Sequence, residues 1–589
     1  MRAMRPALTF TFALHALAFA GAAAQQTAEP APAIRLNQLG FLPSGPKAAV
    51  VIGGAASTFS IATWPDSHTV LRGTLTAAAL WPLSGEMAQR AEFTSLTKPG
   101  RYVLIVPGIG RSIPFDIGVA NTREVARAAI KAFYFQRAGT PLPAKFAGKW
   151  ARVAGHPDTL VLVHPSAATP ARPAGTRISA PRGWYDAGDY NKYIVNSGIS
   201  TYTLLLLAEQ FPAEAKSLDT NIPESGNGIP DVLNEALWNI RWMLAMQDPN
   251  DGGVYHKLTS AAFDNFVRPD LETTTRYVVQ KGSAATFDFA AVMAHASLLV
   301  RHYPRELPGL ADTLTRAALA AWRWGRLHPD STYDQPRVNA KYAPPITTGA
   351  YDDSHLDDER RWAAAELAIA TKQDSFLVAV PPFAAAADVP TWGSVGTLGL
   401  ISLAEHRREM AALVDTGRVS AQLLTLARAL RAAADKSPYG MAMAQPWEFQ
   451  WGSNAVAANQ GLVLVQAARL TRDTSFLRVA ASNLDYILGR NATGYSFVTG
   501  FGVKTPWHPH HRPSATDTVV APVPGMLVGG PNPGQQDRCP GYPSKLPALS
   551  YVDAQCAYAA NEIAINWNAP FAYLAAAVDA SYDVQGRTK

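Results

Sequence analysis

Asp186 and Asp189 lie three residues apart in Gly183-Trp-Tyr-Asp-Ala-Gly-Asp-Tyr-Asn-Lys192. Gly188 lies between them, so a tight turn can aim both carboxylates at one point. Two close carboxylates resist double ionisation, and such a pair can orient and deprotonate a water. The same residues would also serve an Asp-rich turn that binds calcium or caps a helix. A second candidate is Glu562, set among Ala, Ile and Tyr in Tyr558-Ala-Ala-Asn-Glu-Ile-Ala-Ile565. Partial desolvation raises a carboxyl pKa and keeps its proton near neutral pH, as a general acid requires. A structural Glu bonded to Asn or backbone is the alternative. Asn568 is placed to cap the last helix, with Pro570 in its first turn.

Two further stretches suit a polar, ring-shaped ligand. Trp507-His-Pro-His-His-Arg512 groups three histidines with an arginine. The prolines extend the chain and no carboxylate lies close in sequence, so bonding to sugar hydroxyls fits better than a metal, with structural histidines as the remaining alternative. Pro446-Trp-Glu-Phe-Gln-Trp451-Gly-Ser-Asn454 is rich in flat rings. Such rings stack on pyranose faces, although an aromatic run also suits a core.

These residues need elements to hold them. Ile34 to about Ile117 carries short apolar runs at 48–52, 58–62, 69–71, 101–106 and 112–117, separated by Gly, Pro, Ser and Asp. That spacing predicts a small β-sandwich over 34–118. From Asn121 the pattern turns helical. Asn121 or Thr122 is placed to cap a first helix through Gln136, and further helices are predicted at 199–211, 231–247, 286–303, 310–327, 358–371, 395–409, 417–435, 454–470, 473–488 and 569–583. About a dozen helices must bury their apolar stripes against one another, which predicts a toroid of paired helices over 121–585. The irregular stretches at 140–198, 328–357 and 491–557 carry Trp, Tyr, His and Arg, as walls of a cleft would.

Residues 1–24 read as an export signal: Arg2 and Arg5, an apolar stretch from Ala7 to Ala20, then Ala22-Ala23-Ala24. Residues 25–33 read as a Pro-rich flexible leader, and no later segment reads as a membrane span. The mature protein is expected to be secreted or periplasmic. The net charge of +6 falls to +4 without Arg2 and Arg5, and no clustered basic stripe points to nucleic acid. Cys539 and Cys556 are the two cysteines. In an oxidising compartment they are expected to pair and to stabilise by about 3 kcal/mol on the chain-entropy model. Two cysteines are too few for a thiolate zinc site.

Together the motifs resemble those of family 9 glycoside hydrolases. Tyr551 through Ala569 resembles the family's acid-containing signature. Ser496 through Arg512 resembles its second signature, and Trp184 through Asp189 its Asp-Ala-Gly-Asp element. Their order agrees, as do Asn227-Gly-Ile-Pro-Asp231, Gly252-Gly-Val-Tyr255 and Trp451-Gly-Ser-Asn454. Ile34 through Phe41 resembles the start of the immunoglobulin-like domain found ahead of many bacterial members. The resemblance implies an (α/α)6 barrel preceded by an immunoglobulin-like β-sandwich. It also implies endo-acting, inverting hydrolysis of β-1,4-glucan in cellulose-type substrates. Exo-action, mixed-linkage glucan and a non-catalytic glycan-binding protein are the competing readings.

By motif position the resemblance makes Asp189 the general base, Asp186 its helper and Glu562 the general acid. His510, Arg512 and Tyr558 become sugar-binding residues, with Trp567 and Trp451 as stacking rings. No cofactor is implied for the chemistry. A structural calcium site is implied over Ser354, Asp358 and Glu359, but Trp392-Gly-Ser-Val-Gly-Thr397 lacks the further carboxylate the family has downstream. The cysteines of the family's zinc site are missing, so no zinc is expected. The expected partner is a β-glucan, met by a monomer. With no carbohydrate-binding module after Lys589, soluble or amorphous glucan is the expected form.

Overall fold

The computed structural model describes residues 32–380, 383 and 386–582. The segment expected to be an export signal, and most of the expected leader, lie outside the described residues.

The first domain packs two sheets face to face. One runs β1 (Ile34–Arg35), β2 (Ala48–Ile52), β6 (Glu86–Glu92), β5 (Ala79–Trp81). The other runs β4 (Thr69–Thr74), β3 (Thr58–Thr63), β7 (Gly100–Val106), β8 (Gly110–Arg111), with β9 (Phe115–Ile117) also on β7. Inward residues such as Val51, Phe59, Ile61 and Leu104 alternate with outward ones to form the core. Phe41 lies edge-on to Phe93 at 5.2 Å and to Phe115 at 5.6 Å. Strands β5 and β6 were not among the expected strands. In β6 the charged Glu86, Arg90 and Glu92 mask the period-two signal, and they are spent elsewhere: the carboxylate of Glu86 takes two bonds from Arg35 at 2.6 and 2.8 Å.

The sandwich is tied to the helical domain by packing as well as by the chain. Trp81 packs on Tyr439 at 4.1 Å, and Arg35 also donates to the Tyr439 hydroxyl at 2.5 Å. The side-chain oxygen of Gln38 accepts from the Val503 and Lys504 amides at 2.7 and 2.9 Å. Asn121 does not cap a helix as its sequence position suggested. The first helix begins at Ala120 with no side-chain cap, and the Asn121 amide instead donates to the Leu39 carbonyl across the domain boundary.

The helical domain is a double ring. Helices α2 (Ile194–Gln210), α4 (Ser283–Val300), α6 (Asp357–Thr371), α7 (Gly396–Glu405), α9 (Ser453–Thr471) and α11 (Ile565–Tyr582) form the inner ring. Helices α1 (Ala120–Phe135), α3 (Asp231–Ala245), α5 (Leu310–Leu327), α8 (Thr416–Lys436) and α10 (Thr474–Ile487) back them. The inner helices are buried on nearly every face, as expected of helices that are apolar all round. Helix α4 is long and apolar enough to cross a membrane by length and composition, but it is packed inside the ring as a core helix and carries Asp288 and His295.

A small sheet lies beside the ring opening, in the order β11 (Arg177–Ile178), β10 (Val161–Val163), β14 (Arg276–Val278), β13 (Lys257–Ser260), β12 (Lys192–Tyr193). Strands β10, β11 and β12 arise from the 140–198 stretch expected to be irregular, and β13 and β14 from the connection between α3 and α4. Strand β12 continues directly from the Asp186–Asp189 turn, so the sheet anchors that turn. Cys539 and Cys556 are paired in a disulfide.

Deep inside, His295 Nδ1 bonds Glu366 at 3.0 Å, and its Nε2 lies 3.5 Å from Glu209, which also bonds His406 at 2.9 Å. Burial works to lower the His295 pKa, but the carboxylates of Glu366 and Glu209 prevail and raise it to about 9. A raised folded pKa gives stability that is complete below the unfolded value, near 6.5, and lost as pH climbs through the folded one. The shift is worth up to about 3 kcal/mol. Urea midpoints are expected to fall between pH 7 and 10 in the native chain and to stay flatter in His295→Gln.

Candidate active site

The inner helices present their N-termini to one end of the ring, and the chemistry-bearing residues precede those starts. Asp186 and Asp189 come before α2, Tyr351 before α6, Trp451 before α9 and Glu562 before α11. Helix N-termini carry partial positive charge, so this end favours carboxylates.

Asp186 is buried and fully engaged. The Asn196 amide reaches both of its oxygens at 3.0 Å, and the Tyr351 hydroxyl donates to Oδ2 at 3.0 Å. Asp189 Oδ2 accepts from the Asn191 amide and, at 3.4 Å, from the Tyr193 hydroxyl. Glu562 joins this pair: the amide of Gly188, between the two aspartates, donates to Glu562 Oε1 at 3.3 Å. Gly188 is needed for close approach, since a Cβ there would sit 2.1 Å from the His510 carbonyl oxygen. Burial, then Asp189 and Asp186, push the Glu562 pKa well above the usual glutamate range. Burial, then Asp189, do the same for Asp186. The cluster therefore retains a proton where isolated carboxyls would be ionised.

Glu562 is held by backbone, not by a helix. Tyr558–Asn561 form one turn, and the chain then becomes extended at Glu562. His510 pairs with Glu562 on one side, and the Gly529 amide donates to the Glu562 carbonyl at 2.8 Å on the other. Tyr558 therefore does not share a helical face with Glu562. Helix α11 starts at Ile565, whose amide donates to the Asp186 carbonyl at 2.8 Å. Asn568 is thus inside the helix instead of capping it, and its side chain bonds the Leu527 amide and the Ala129 carbonyl at 3.0 and 2.7 Å.

The three histidines divide. His510 Nδ1 faces the Gln555 carbonyl at 2.7 Å, so Nδ1 carries the proton and Nε2 is an acceptor in the neutral ring. Burial lowers its pKa, consistent with the neutral form. His511 is buried between Gln136 and Ser514, and His508 is outside this cluster with its amide on Asp553. Arg512 spends three of its five N–H donors on backbone carbonyls, one bond to Gly188 at 2.9 Å and two to Asp264 at 3.0 and 2.8 Å. It clamps the aspartate turn and leaves two donors for a ligand. Trp451, 43% exposed, lies against Tyr558 at 5.4 Å. Trp567 differs from the stacking role given to it: it is buried under Gly452 and Gly529, where a Cβ on Gly452 would lie 2.6 Å from its ring, and it supports the rim without offering a face.

Asn196 and Tyr351 escaped the sequence reading of the catalytic residues. Asn196 is an ordinary-looking helix residue, and Tyr351 comes from 165 positions away. Tyr351 sits at positive φ (50°), a conformation unusual for a ring-bearing residue that marks the loop as shaped for a purpose.

The loop after Tyr351 holds the expected calcium ligands in altered form. Ser354 is exposed, while Asp358 accepts from the Val395 amide at 2.7 Å. Glu359 is buried with neither oxygen bonded, and it faces Asp353 and, on α4, Asp288, whose oxygens are likewise both unbonded. Burial, then Asp353 and Asp358, push Asp288 well above the ordinary carboxylate range, and burial, then Asp288, Asp358 and Asp353, do the same for Glu359. A Cβ on Gly393 would lie 3.4 Å from Asp353 Oδ2, so Asp353 occupies the space beside the position that lacks the family carboxylate. Among the described residues no trio of His, Cys, Asp or Glu is drawn in to a ready ligand set. The unbonded buried oxygens nevertheless fit a hard cation such as calcium.

Residues 123–575 match the family model for glycosyl hydrolase family 9, and residues 29–111 match that for the cellulase N-terminal ig-like domain. The chain is 44% identical over 558 residues to a xyloglucan-specific endo-β-1,4-glucanase of Bacteroides ovatus, covering 94% of each. It is 32% identical over 550 residues to endoglucanase D of Acetivibrio thermocellus, covering 92% of this chain and 82% of that one. A solved family 9 structure from Bacteroides ovatus superposes with a TM-score of 0.88 at 42% identity, covering 93% of this chain and 99% of that one. This chain belongs to glycosyl hydrolase family 9: it is a glycoside hydrolase of β-1,4-glucan-degrading type, with an immunoglobulin-like domain ahead of an (α/α)6 barrel.

Proposed function

We propose that the protein is an endo-acting, inverting β-1,4-glucanase in which Glu562 is the general acid and Asp189 the general base. The observation that carries this is the meeting of three carboxylates at one end of the barrel, with Glu562 held protonated by burial and by Asp189 and Asp186. Glu562 Oε1 accepts from the Gly188 amide, so the proton belongs on Oε2, from which it passes to the leaving oxygen. Asp189 Oδ2 is held by Asn191 and Tyr193, which leaves Oδ1 to take a proton from the attacking water. Asp186, fixed by Asn196 and Tyr351, shapes the seat of that water. His510 Nε2 and the two spare donors of Arg512 bond sugar hydroxyls beside the cut, and Trp451 with Tyr558 stacks a ring. The water attacks the face opposite the departing oxygen, so the anomeric configuration inverts.

The glucan is either unbranched, as in cellulose, or xylosyl-branched. The Bacteroides ovatus relative favours the branched backbone as the first substrate to test. Reducing-sugar release and viscosity are to be followed together on xyloglucan, carboxymethyl cellulose and mixed-linkage glucan. Endo-action predicts a steep viscosity drop at low sugar release on at least the first. Sugar release with viscosity unchanged would replace endo- by exo-action, and no release from any would refute the assignment.

Calcium is the ion proposed for Asp288, Asp353, Asp358 and Glu359. Bound there it would neutralise their repulsion and brace the loop that delivers Tyr351 to Asp186. Added calcium is expected to raise the melting temperature of chelator-treated protein by about one or two degrees, as a gain of about one or two kcal/mol would do in a domain of this size. That gain should vanish in Glu359→Gln, and an equal gain in both proteins would exclude this site. The N-terminal basic and apolar segment supports export, with cleavage before Gln25. N-terminal sequencing of the exported protein checks it.

A further inference from the structure

The loop between β13 and β14 displays two phenylalanines that the catalytic residues leave unexplained. Phe263 is 50% exposed and Phe266 39% exposed. Free aromatic rings on a mobile loop would mean little, but this loop is pinned from the active site. Arg512 donates twice to the Asp264 carbonyl, at 3.0 and 2.8 Å, while its third bond holds Gly188 in the aspartate turn. Tyr190, the residue after Asp189, donates its hydroxyl to the Val267 carbonyl at 2.6 Å. The two rings thus lie on a segment clamped to the same elements as Asp189.

Their placement extends an existing surface. Phe266 meets His510 edge-on at 5.2 Å, His510 meets Tyr558 at 5.8 Å, and Tyr558 lies 5.4 Å from Trp451. The Arg512 guanidinium lies 5.1 Å from the Phe266 ring and 6.0 Å from that of Phe263. The rings of Trp451, Tyr558, His510 and Phe266 therefore follow one another in contact, and the Arg512 guanidinium, between Phe266 and Phe263, carries the surface on to the second phenylalanine. A β-1,4-linked glucan presents the apolar C–H faces of successive rings along one line, which is the ligand shape that such a surface accommodates.

We infer that Phe263 and Phe266 form an added sugar subsite, which stacks a main-chain glucosyl unit beyond those that straddle the cut. This rests on the glucanase reading and extends it to chain-length preference. The phenylalanines bring no hydrogen-bond donor of their own, so they hold the backbone ring by its face, and Arg512 supplies the nearby polar contact.

The test compares the native protein with Phe263→Ala/Phe266→Ala on cello-oligosaccharides of increasing length. The gain in kcat/KM from the shortest oligosaccharide that the native protein cleaves to cellohexaose should shrink about tenfold in the variant, as loss of ring stacking predicts. Turnover of the shortest substrate and the melting temperature should stay as they were, and Phe263→Tyr/Phe266→Tyr should restore the gain. A length gain equal to that of the native protein would overturn the subsite. So would an equal loss on short and long substrates with a lower melting temperature, because the rings would then be structural. If the native protein cleaves no β-1,4-glucan of any length, the glucanase reading itself falls and the subsite with it.

Discussion

Glu562→Gln should lower turnover on glucan by about 10²–10⁴-fold, the range that general acid catalysis contributes, without unfolding the protein. The reasoning starts from burial. Glu562 lies among Asp186, Asp189 and apolar neighbours, and its pKa is raised because the charged form is both desolvated and repelled. A raised pKa keeps the acid form present up to its folded value, and the form is lost as pH climbs through it. The alkaline limb of the rate profile should therefore lie above the ordinary glutamate range, near 4.3, and should disappear from the residual activity of the variant. Removing a repelled carboxyl relieves electrostatic strain, so the variant should melt no lower than the native protein. A nitrophenyl leaving group needs no proton, and the loss on a nitrophenyl cellobioside should be far smaller than on glucan. Equal losses on both substrates would detach Glu562 from proton donation.

Asp189→Ala should cost as much, with a different signature. Water activation is needed whatever the leaving group, so glucan and nitrophenyl glycoside should both lose about 10²–10⁴-fold. Azide needs no base and should restore part of the rate, giving a glycosyl azide of inverted configuration. The change also removes one of the two negative charges that raise the Glu562 pKa, so the alkaline limb should move to lower pH. A full rate in this variant, or a limb that moves upward, would contradict the assignment.

Much of this site was legible in the sequence because its parts are local. The aspartate turn, the Glu562 segment and the His510–Arg512 run each announce themselves by residue type and spacing, and the long helices by their apolar patterns. What stayed hidden was set by contacts between distant segments. Helix α11 starts at Ile565 instead of near Asn568 because its first amide is taken by the Asp186 carbonyl, a partner no local pattern encodes. Asn121 has the chemistry of a cap but reaches the sandwich instead. Asn196 and Tyr351 matter because they meet on Asp186, and Asp353 and Asp288 because they face Glu359; none of these has a local signal. Arg512 shows the converse case. Its motif suggested a sugar contact, while most of its donors hold the turn and loop that shape the groove.

The acid and base roles converge on the stereochemistry of the first product. Proton NMR of cellohexaose hydrolysis, read before mutarotation, should show the new reducing ends appearing as the α-anomer, because water enters opposite the departing oxygen. New ends appearing first as the β-anomer would mean that a carboxylate had attacked the sugar directly, and the pairing of Asp189 as base with Glu562 as acid would be wrong.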